Sequence, residues 1–368
     1  MRAYLERVAT GPELSKPISR AAARDAMQMV LARQVDPVQA GIYLIAMRMK
    51  RETDQENLGS LDALLDRVER HTVDCACLVD IADPFNGYAR NVPATPFLGA
   101  VLAACGLNAY SHGLRTVGPK YGVTHHMVYA AAGMAVDLPP AEVAGRIADR
   151  RIGWGYIDQS VYSPALHNLV DLRAQMVKRS CITTLEVALG PLRAAGTTHL
   201  LTGYVHKAYP PVYTLLAREA GYDGALIIRG VEGGCIPSLS HPAKYFGYNA
   251  GSGDQATRIT PAQVGVDQSL RAAPIPPHLI GETPVYPGSE RYGVVAPVDT
   301  RGVAAHCAEL GLGALAGEAG AMRDSLVYGG ALCLFHCGQA ATLRDGAERV
   351  RKVLDAGDAR RRFDAALG

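Results

Sequence analysis

Residues 75–82 read CACLVDIA, a largely apolar stretch that ends at Asp83-Pro84. Such a run is typical of a strand that is buried on both faces of a parallel sheet. The stretches 199–205 and 225–229 have the same character. Helical patterns separate or follow these strands, over 97–105, 124–132, 140–149, 163–176 and 210–220. Strands that alternate with helices predict an α/β domain with a mainly parallel sheet.

The first 70 residues, by contrast, carry only helical signals. Asp36-Pro37 provides an N-cap and a proline at the first helical position. Thr53 and Glu56 have the spacing of a capping box. Short helices with short loops predict a small antiparallel helical unit. At the other end, residues 238–300 are predicted to be irregular, and 321–368 to be helical again.

Composition limits the classes of protein that fit. The chain has 368 residues, and 37 Lys+Arg against 35 Asp+Glu give a net charge of +2. An apolar fraction of 48% and a charged fraction of 20% exclude a disordered chain. The longest apolar run, 96–107, has 12 residues, whereas a membrane helix needs about 20. With scattered cysteines and no apolar leader, we predict a cytoplasmic protein with reduced thiols and no membrane partner.

Residues 110–122, YSHGLRTVGPKYG, form the most informative candidate site. Ligands of parallel sheets bind beyond the carboxyl ends of the strands. The segment offers His112, Gly113, Arg115 and Lys120 just before a predicted helix. Cations beside the free amides of a helix start predict a phosphate site. The alternative is a solvated loop that needs glycine only for its turns.

Two other strand ends carry polar residues. Asp83, Asn86 and Arg90 follow the strand at 75–82, where they could hydrogen-bond a sugar or a phosphate. An ordinary Asn-Gly turn with surface charges is the alternative. Glu232 follows the strand at 225–229, and a single carboxylate there could hold Mg²⁺ through water, with a phosphorylated substrate supplying other ligands.

A possible zinc site involves Cys333, His336 and Cys337, which stand at helical spacing. Zinc uses these residue types, but the sequence lacks the paired CxxC motifs of structural zinc sites. The spacing therefore favours core thiols. Cys75 and Cys77 share one face of a strand and have the same interpretation.

The whole chain resembles the anthranilate phosphoribosyltransferases, members of the class that includes thymidine phosphorylase-like enzymes. The matching stretches are 5–15, 26–53, 172–204 and 321–357. The resemblance implies a small helical domain hinged to a larger α/β domain, with the active site in the cleft between them. It also implies a homodimer joined through the helical domains. The helical domain would comprise 1–72, joined by about 163–188, and the α/β domain would comprise 73–162 and 189–368.

The resemblance assigns roles to several residues. The family's Gly-Thr-Gly-Gly-Asp pyrophosphate loop falls on Asp83–Gly87, which reads DPFNG. Its sugar-phosphate asparagine falls near Pro93, which makes Asn91 the nearest candidate. Its Lys-His-Gly-Asn-Arg motif becomes residues 111–115, SHGLR, and its anthranilate-contacting arginine falls on Arg173.

Other parts of the family pattern change. The Asp-Glu magnesium pair falls around 229–234, where only Glu232 is acidic. The asparagine of the family's FNxLGP stretch is missing, and residues 270–300 resemble an insertion. Fewer glycine amides, fewer cations and no acidic pair would weaken a magnesium–pyrophosphate complex.

Two functions follow from this partial match. The first is a divergent glycosyltransferase (a pentosyltransferase) that binds a phosphorylated sugar or nucleotide-like molecule in the interdomain cleft, with Mg²⁺ as a possible cofactor. The alternative is a non-catalytic nucleic-acid-binding paralogue, because VDI…HGLRT…GPK…IIRGVEGG resembles a group whose studied members bind nucleic acid. The arginine-rich stretches 146–151 and 360–362 would then contact phosphates.

Overall fold

The computed structural model describes residues 1–11, 13–249, 253–282 and 297–367. The chain begins with four helices: α1 (Arg2–Val8), α2 (Arg20–Leu31), α3 (Pro37–Lys50) and α4 (Asp54–Leu65). The predicted caps are confirmed. The Asp36 side chain accepts a hydrogen bond from the Val38 amide, and Thr53 and Glu56 form a complete capping box.

A seven-stranded sheet forms the centre of the larger domain. The strands of the protein are β1 (His71–Val73), β2 (Cys77–Ala82), β3 (Asn108–Gly113), β4 (Trp154–Asp158), β5 (Leu192–Ala194), β6 (Thr197–Gly203), β7 (Gly224–Ile228), β8 (Ala243–Tyr248) and β9 (Gln255–Ile259). The large sheet has the order β4-β3-β2-β6-β7-β8-β9, in which only the β7–β8 and β8–β9 pairs are antiparallel. β1 and β5 form a separate parallel pair. The predicted fold, a helical domain with a mainly parallel α/β domain, is confirmed.

Helices cover both faces of the sheet. They are α5 (Leu98–Ala104), α6 (His125–Ala131), α7 (Pro140–Ala148), α8 (Gln159–Tyr162), α9 (Pro164–His167), α10 (Val170–Met176), α11 (Ile182–Leu185), α12 (Pro210–Glu219), α13 (Thr300–Leu315), α14 (Ala321–His336), α15 (Leu343–Asp355) and α16 (Asp358–Ala365). Side chains alternate along β2: Val79 and Ile81 join one core, and Leu78 and Ala82 join the other. Burial on both faces explains the unbroken apolar run of this strand.

Several elements differ from the sequence-based expectation. His112 lies inside β3 rather than in a loop, and β4 has no counterpart among the predicted strands. The expected helix over 163–176 is broken into α9 and α10. β8 and β9 lie within 238–300, which the sequence predicts to be irregular. Part of the expected insertion, residues 283–296, lies outside the described residues.

No helix in the described ranges combines the length and the apolar character needed to cross a bilayer. The cytoplasmic location stays a prediction. The domain boundaries also stay a prediction, although α10 packs on α3, where Leu172 and Met176 approach Gly41.

Candidate functional site

A cavity of about 150 Å³, here called the cleft cavity, lies where the helical domain meets the carboxyl ends of β2 and β6. Its polar lining comes from both parts of the chain: Arg48, Asn86, Arg179, His206, Tyr209 and Glu232. This is the edge of a parallel sheet at which ligands bind in related architectures. The cleft cavity is therefore the candidate site.

Two arginines give the cleft cavity its charge. Arg48, on α3, donates to Thr184 Oγ1 at 3.3 Å, and its guanidinium lies 5.0 Å from the centre of the Tyr209 ring. Partial burial lowers the pKa of Arg179, and the positive charge of Arg48 lowers it further. Like charges held close together favour the entry of an anion.

Asn86 connects the loop after β2 to this pair. With its amide oxygen facing Arg179, Asn86 accepts hydrogen bonds from Nε at 3.1 Å and from Nη2 at 3.2 Å. The nearest carboxylate to Arg48 is Glu52, at 3.9 Å, and burial raises the pKa of Glu52. At this separation Glu52 does not hydrogen-bond to Arg48.

Asp83 turns away from the cleft cavity into the protein. It is 3% exposed and accepts hydrogen bonds from Tyr88 Oη at 2.9 Å and from the Cys235 amide at 2.9 Å. His125 Nε2 lies 2.9 Å from the Oδ2 atom of Asp83. Burial would raise the pKa of Asp83, but the hydrogen bond and charge of His125 together with the other donors lower it. The carboxylate therefore anchors its own loop.

Gly87 holds two loops together. Its φ is +74°, and a Cβ at this position would lie 2.5 Å from the backbone of Gly122. Tyr88 and Val123 form a β-bridge beside this contact. The glycine is required for close packing of the loops after β2 and β3.

His112 is buried among aromatic rings. Its Nδ1 lies 3.0 Å from Tyr162 Oη, and its Nε2 lies 3.0 Å from a carboxylate oxygen of Asp80. Gly113 is the last residue of β3, and the side chain of Arg115 beyond it is exposed. None of the predicted site residues His112, Gly113 and Arg115 lines the cleft cavity.

Glu232 occupies a ring of hydrogen-bond donors at the edge of the cleft cavity. Its carboxylate accepts from the backbone amides of Ala89 at 3.1 Å, Arg90 at 2.8 Å and Asn91 at 2.8 Å. Lys120 Nζ lies 2.6 Å from the same carboxylate. Burial lowers the pKa of Lys120, an effect that the charge of Glu232 opposes. Three amides and one ammonium therefore already surround this carboxylate.

Known proteins share both the sequence and the fold of this chain. The glycosyl transferase family helical bundle domain matches residues 2–68. An anthranilate phosphoribosyltransferase from Rhodopseudomonas palustris is 28% identical over 360 residues, which are 97% of this chain and 94% of that protein. One from Paracidovorax citrulli is 27% identical over 340 residues, 92% of this chain and 89% of that protein.

Solved structures agree in fold. Anthranilate phosphoribosyltransferase from Thermus thermophilus superimposes with a TM-score of 0.70 at 19% identity, covering 96% of this chain and 95% of that one. The Saccharomyces cerevisiae enzyme, in complex with PRPP and Mg, gives 0.74 at 13% identity, covering 100% and 97%. The chain is therefore similar to anthranilate phosphoribosyltransferases in sequence and in fold, along nearly its whole length.

Within this anthranilate phosphoribosyltransferase-like chain, Arg173 is not at the cleft cavity. Two of its guanidinium nitrogens donate to Glu186, at 2.8 and 2.7 Å, and the two side chains are 5% and 0% exposed. Gln159 Nε2 also donates to Glu186 at 3.3 Å. This ion pair connects α10 with the short helical turn that follows α11.

Two carboxylates near the cleft cavity, Glu232 and Asp83, already have partners. Mg²⁺ binds hard oxygen ligands in a strict octahedral arrangement. Glu232 already accepts four hydrogen-bond or ion-pair contacts, and Asp83 is fully engaged with His125, Tyr88 and Cys235. The carboxylates in this arrangement do not fit a resident Mg²⁺ ion. Magnesium binding by this chain stays untested.

The sequence did not single out Arg48, Arg179 and His206, which line the cleft cavity. Arg48 and Arg179 stand inside the stretches that carry the resemblance, but no motif singles them out. A second missed pair lies at the end of β4, where His126 Nδ1 is 2.8 Å from Asp158. Burial opposes ionisation of Asp158, yet His126 and Ser160 lower its pKa overall.

Proposed function

We propose that this chain is a phosphoribosyltransferase-type protein that binds a phosphorylated ribosyl ligand in the cleft cavity. The observation that carries the proposal is the placement of Arg48 and Arg179 around one cavity at the carboxyl edge of the sheet. Two guanidinium groups in fixed positions match the geometry and charge of phosphoryl oxygens. The family relationship supports the same class of ligand.

The acceptor in this proposal is a molecule other than anthranilate. The residue that the resemblance assigns to anthranilate, Arg173, is held by Glu186. Asp83, Phe85 and Asn86 stand where the family's pyrophosphate loop has glycines, and Phe85 is buried. Backbone approach to pyrophosphate is therefore restricted in this loop.

The proposed reaction is displacement at C1′ of the ribose. A nucleophile forms the new bond to C1′ as the bond to the phosphate leaving group breaks, and the electron pair leaves with that group. Arg48 and Arg179 stabilise the departing negative charge. Any Mg²⁺ in this scheme enters as part of the phosphorylated substrate, because Glu232 and Asp83 are otherwise engaged. The described residues offer no assigned general base.

Replacing Arg179 by alanine should weaken binding of phosphoribosyl pyrophosphate by about 10- to 100-fold, because hydrogen bonds to charged groups contribute about 1.5–3 kcal/mol. Thermal-shift titration with the ligand, with and without Mg²⁺, measures the change. Lys178→Ala is the matched control, since it removes an adjacent exposed cation that does not line the cleft cavity. Equal shifts in both variants, or no shift in the wild-type protein, would contradict the proposal.

The nucleic-acid alternative receives less support from the arginine-rich stretches. Arg151 pairs with Asp149 at 2.7 Å, and Arg360 pairs with Asp364 at 2.8 Å. Arginines that already have carboxylate partners gain less from a phosphate. A salt-sensitive shift with single-stranded DNA, in the absence of any shift with the ribosyl ligand, would favour this alternative.

We also propose that two copies associate through the helical domain. α3 exposes Val38, Ile42 and Met49 along an apolar groove that continues onto α1 and α10. Such an exposed apolar face is typical of a protein interface. The family resemblance implies a homodimer at the same domain.

Replacing Ile42 by glutamate should convert the dimer into a monomer, because a charge would be buried without a partner in the interface. Light scattering after size-exclusion chromatography measures the mass. Gln39→Glu adds the same charge on α3, outside the groove, and should leave the dimer intact. A wild-type protein that is monomeric at all concentrations would refute the proposed dimer.

A further inference from the structure

Two cysteines and a histidine converge near the amino-terminal ends of the strands, on the side of the sheet away from the cleft cavity. Cys77 begins β2, His199 lies in β6, and Cys337 directly follows α14. Their ligand atoms all lie within 4.8 Å of one another. This cysteine–histidine cluster is separated from the strand ends at the cleft cavity by about 20 Å, the length of a six-residue strand.

The register of the sheet places these residues together. Cys77 pairs with Thr197 in the parallel ladder between β2 and β6. His199 lies two residues after Thr197, so its side chain is on the same face as Cys77. The end of α14 brings Cys337 to this face. Only the folded chain assembles the cluster, because its members come from three distant segments.

The structure leaves space for the histidine ring. His199 pairs with Gly224 in β7, and a Cβ at Gly224 would lie 2.4 Å from Nδ1 of His199. The same Nδ1 lies 3.3 Å from Nε2 of His336. One of these two ring nitrogens must carry the proton that the other accepts. This contact orients the His199 ring, whose Nε2 lies 3.3 Å from Thr197 Oγ1 and would exchange that contact for the metal.

We propose that Cys77, His199 and Cys337 bind a zinc ion. Thiolate and imidazole are the ligands that zinc prefers, at about 2.3 Å for sulfur and about 2.0 Å for nitrogen. Ligands of one tetrahedral zinc ion are then about 3.3–3.8 Å apart, so small side-chain rotations close the observed cluster around the metal. The two thiols release their protons to solvent on binding.

Water fills the fourth coordination position in this proposal. Cys77 and Cys337 are partly exposed, so solvent can reach the metal. His336 acts as the positioning residue for His199, and it also borders a surface cavity lined by Tyr245 and Phe335. The bound ion would connect the carboxyl end of α14 to β2 and β6.

Cobalt substitution tests the site directly. The full-length protein is reduced, stripped with a chelator and titrated with Co²⁺, then with Zn²⁺. We expect thiolate-to-cobalt charge-transfer absorption together with the intense visible bands of tetrahedral cobalt, at one ion per chain, and displacement by Zn²⁺. Failure of the wild-type protein to give this absorption would overturn the proposal, whatever the behaviour of its variants.

Variants separate the ligands from their surroundings. Cys77→Ser and Cys337→Ser should lose the charge-transfer absorption, and His336→Gln should weaken binding by about 10- to 100-fold. Cys75→Ser, two residues from Cys77 and also partly exposed, is the matched control and should bind as wild type. Unchanged absorption in Cys77→Ser would overturn the assignment.

The redox state provides a second measurement. The two thiols are also close enough to form a disulfide on oxidation, so the protein is purified without reductant and its mass is measured before and after mild reduction. Zinc at one ion per chain with free thiols supports the site. A Cys77–Cys337 disulfide that persists after mild reduction, with no bound metal, would refute it.

Discussion

Arg173→Met is expected to destabilise the protein by about 3–5 kcal/mol, because it leaves the buried Glu186 carboxylate without its partner. Both side chains are almost completely buried, and the two hydrogen bonds between them are 2.7 and 2.8 Å long. Urea unfolding should show a lower midpoint with an unchanged slope. Arg151→Met removes an exposed arginine of an ion pair and serves as the control.

The double variant Arg173→Met/Glu186→Met should recover most of the lost stability. Replacing both members of a buried ion pair with apolar residues of similar volume is often neutral or stabilising. The same variant tests the role that the resemblance assigns to Arg173. If the arginine is structural, the refolded double variant should keep the thermal shift with phosphoribosyl pyrophosphate. A stable double variant that loses this shift would return Arg173 to the binding site.

The parts of the fold that were predictable have local causes. The caps at Asp36 and Thr53 depend on side chains within one helical turn. β2 was recognisable because both of its faces are apolar. β3 was missed because its buried side chains include the polar Ser111 and His112, whose hydrogen-bond partners Tyr129 and Tyr162 come from other segments of the chain.

The functional residues were harder to predict because they meet only in the folded chain. Arg48 lies on α3 and Arg179 lies in the loop between α10 and α11, so their approach depends on how these distant segments pack. Cys77 and Cys337 likewise read as separate core thiols. Glu232 was recognisable from the sequence as a candidate, but its surroundings were not. Three of its partners are backbone amides, which no side-chain motif reveals.

Glu232→Ala should open an anion site at the edge of the cleft cavity and cost about 2–4 kcal/mol of stability. Hydrogen bonds to charged groups contribute about 1.5–3 kcal/mol each, and water replaces part of what the carboxylate supplied. Inorganic phosphate should restore stability by binding to the three backbone amides and the Lys120 ammonium that the carboxylate no longer occupies. At a concentration of 100 times Kd, this gain would reach about 2.7 kcal/mol.

Thermal unfolding in a series of phosphate concentrations measures this rescue at constant ionic strength. The wild-type protein should respond much less, because its own carboxylate occupies the donors. Glu348→Ala removes an exposed carboxylate on α15 and should behave like the wild type. Equal phosphate responses in Glu232→Ala and the wild type would show that the three amides do not form an anion site.

The pH dependence of Glu232→Ala provides an independent check through Lys120. Burial already lowers the pKa of Lys120, and loss of the opposing charge of Glu232 should lower it further. Over the interval between the folded and unfolded pKa values, the unfolded chain binds more protons, so stability rises with pH. The deficit of Glu232→Ala should therefore shrink between neutral pH and about pH 10, near the ordinary pKa of lysine. Lys120→Met in the same background should remove this pH dependence, because the titrating ammonium would be gone. A deficit that stays constant over this interval would mean that Lys120 does not depend on Glu232 for its charge.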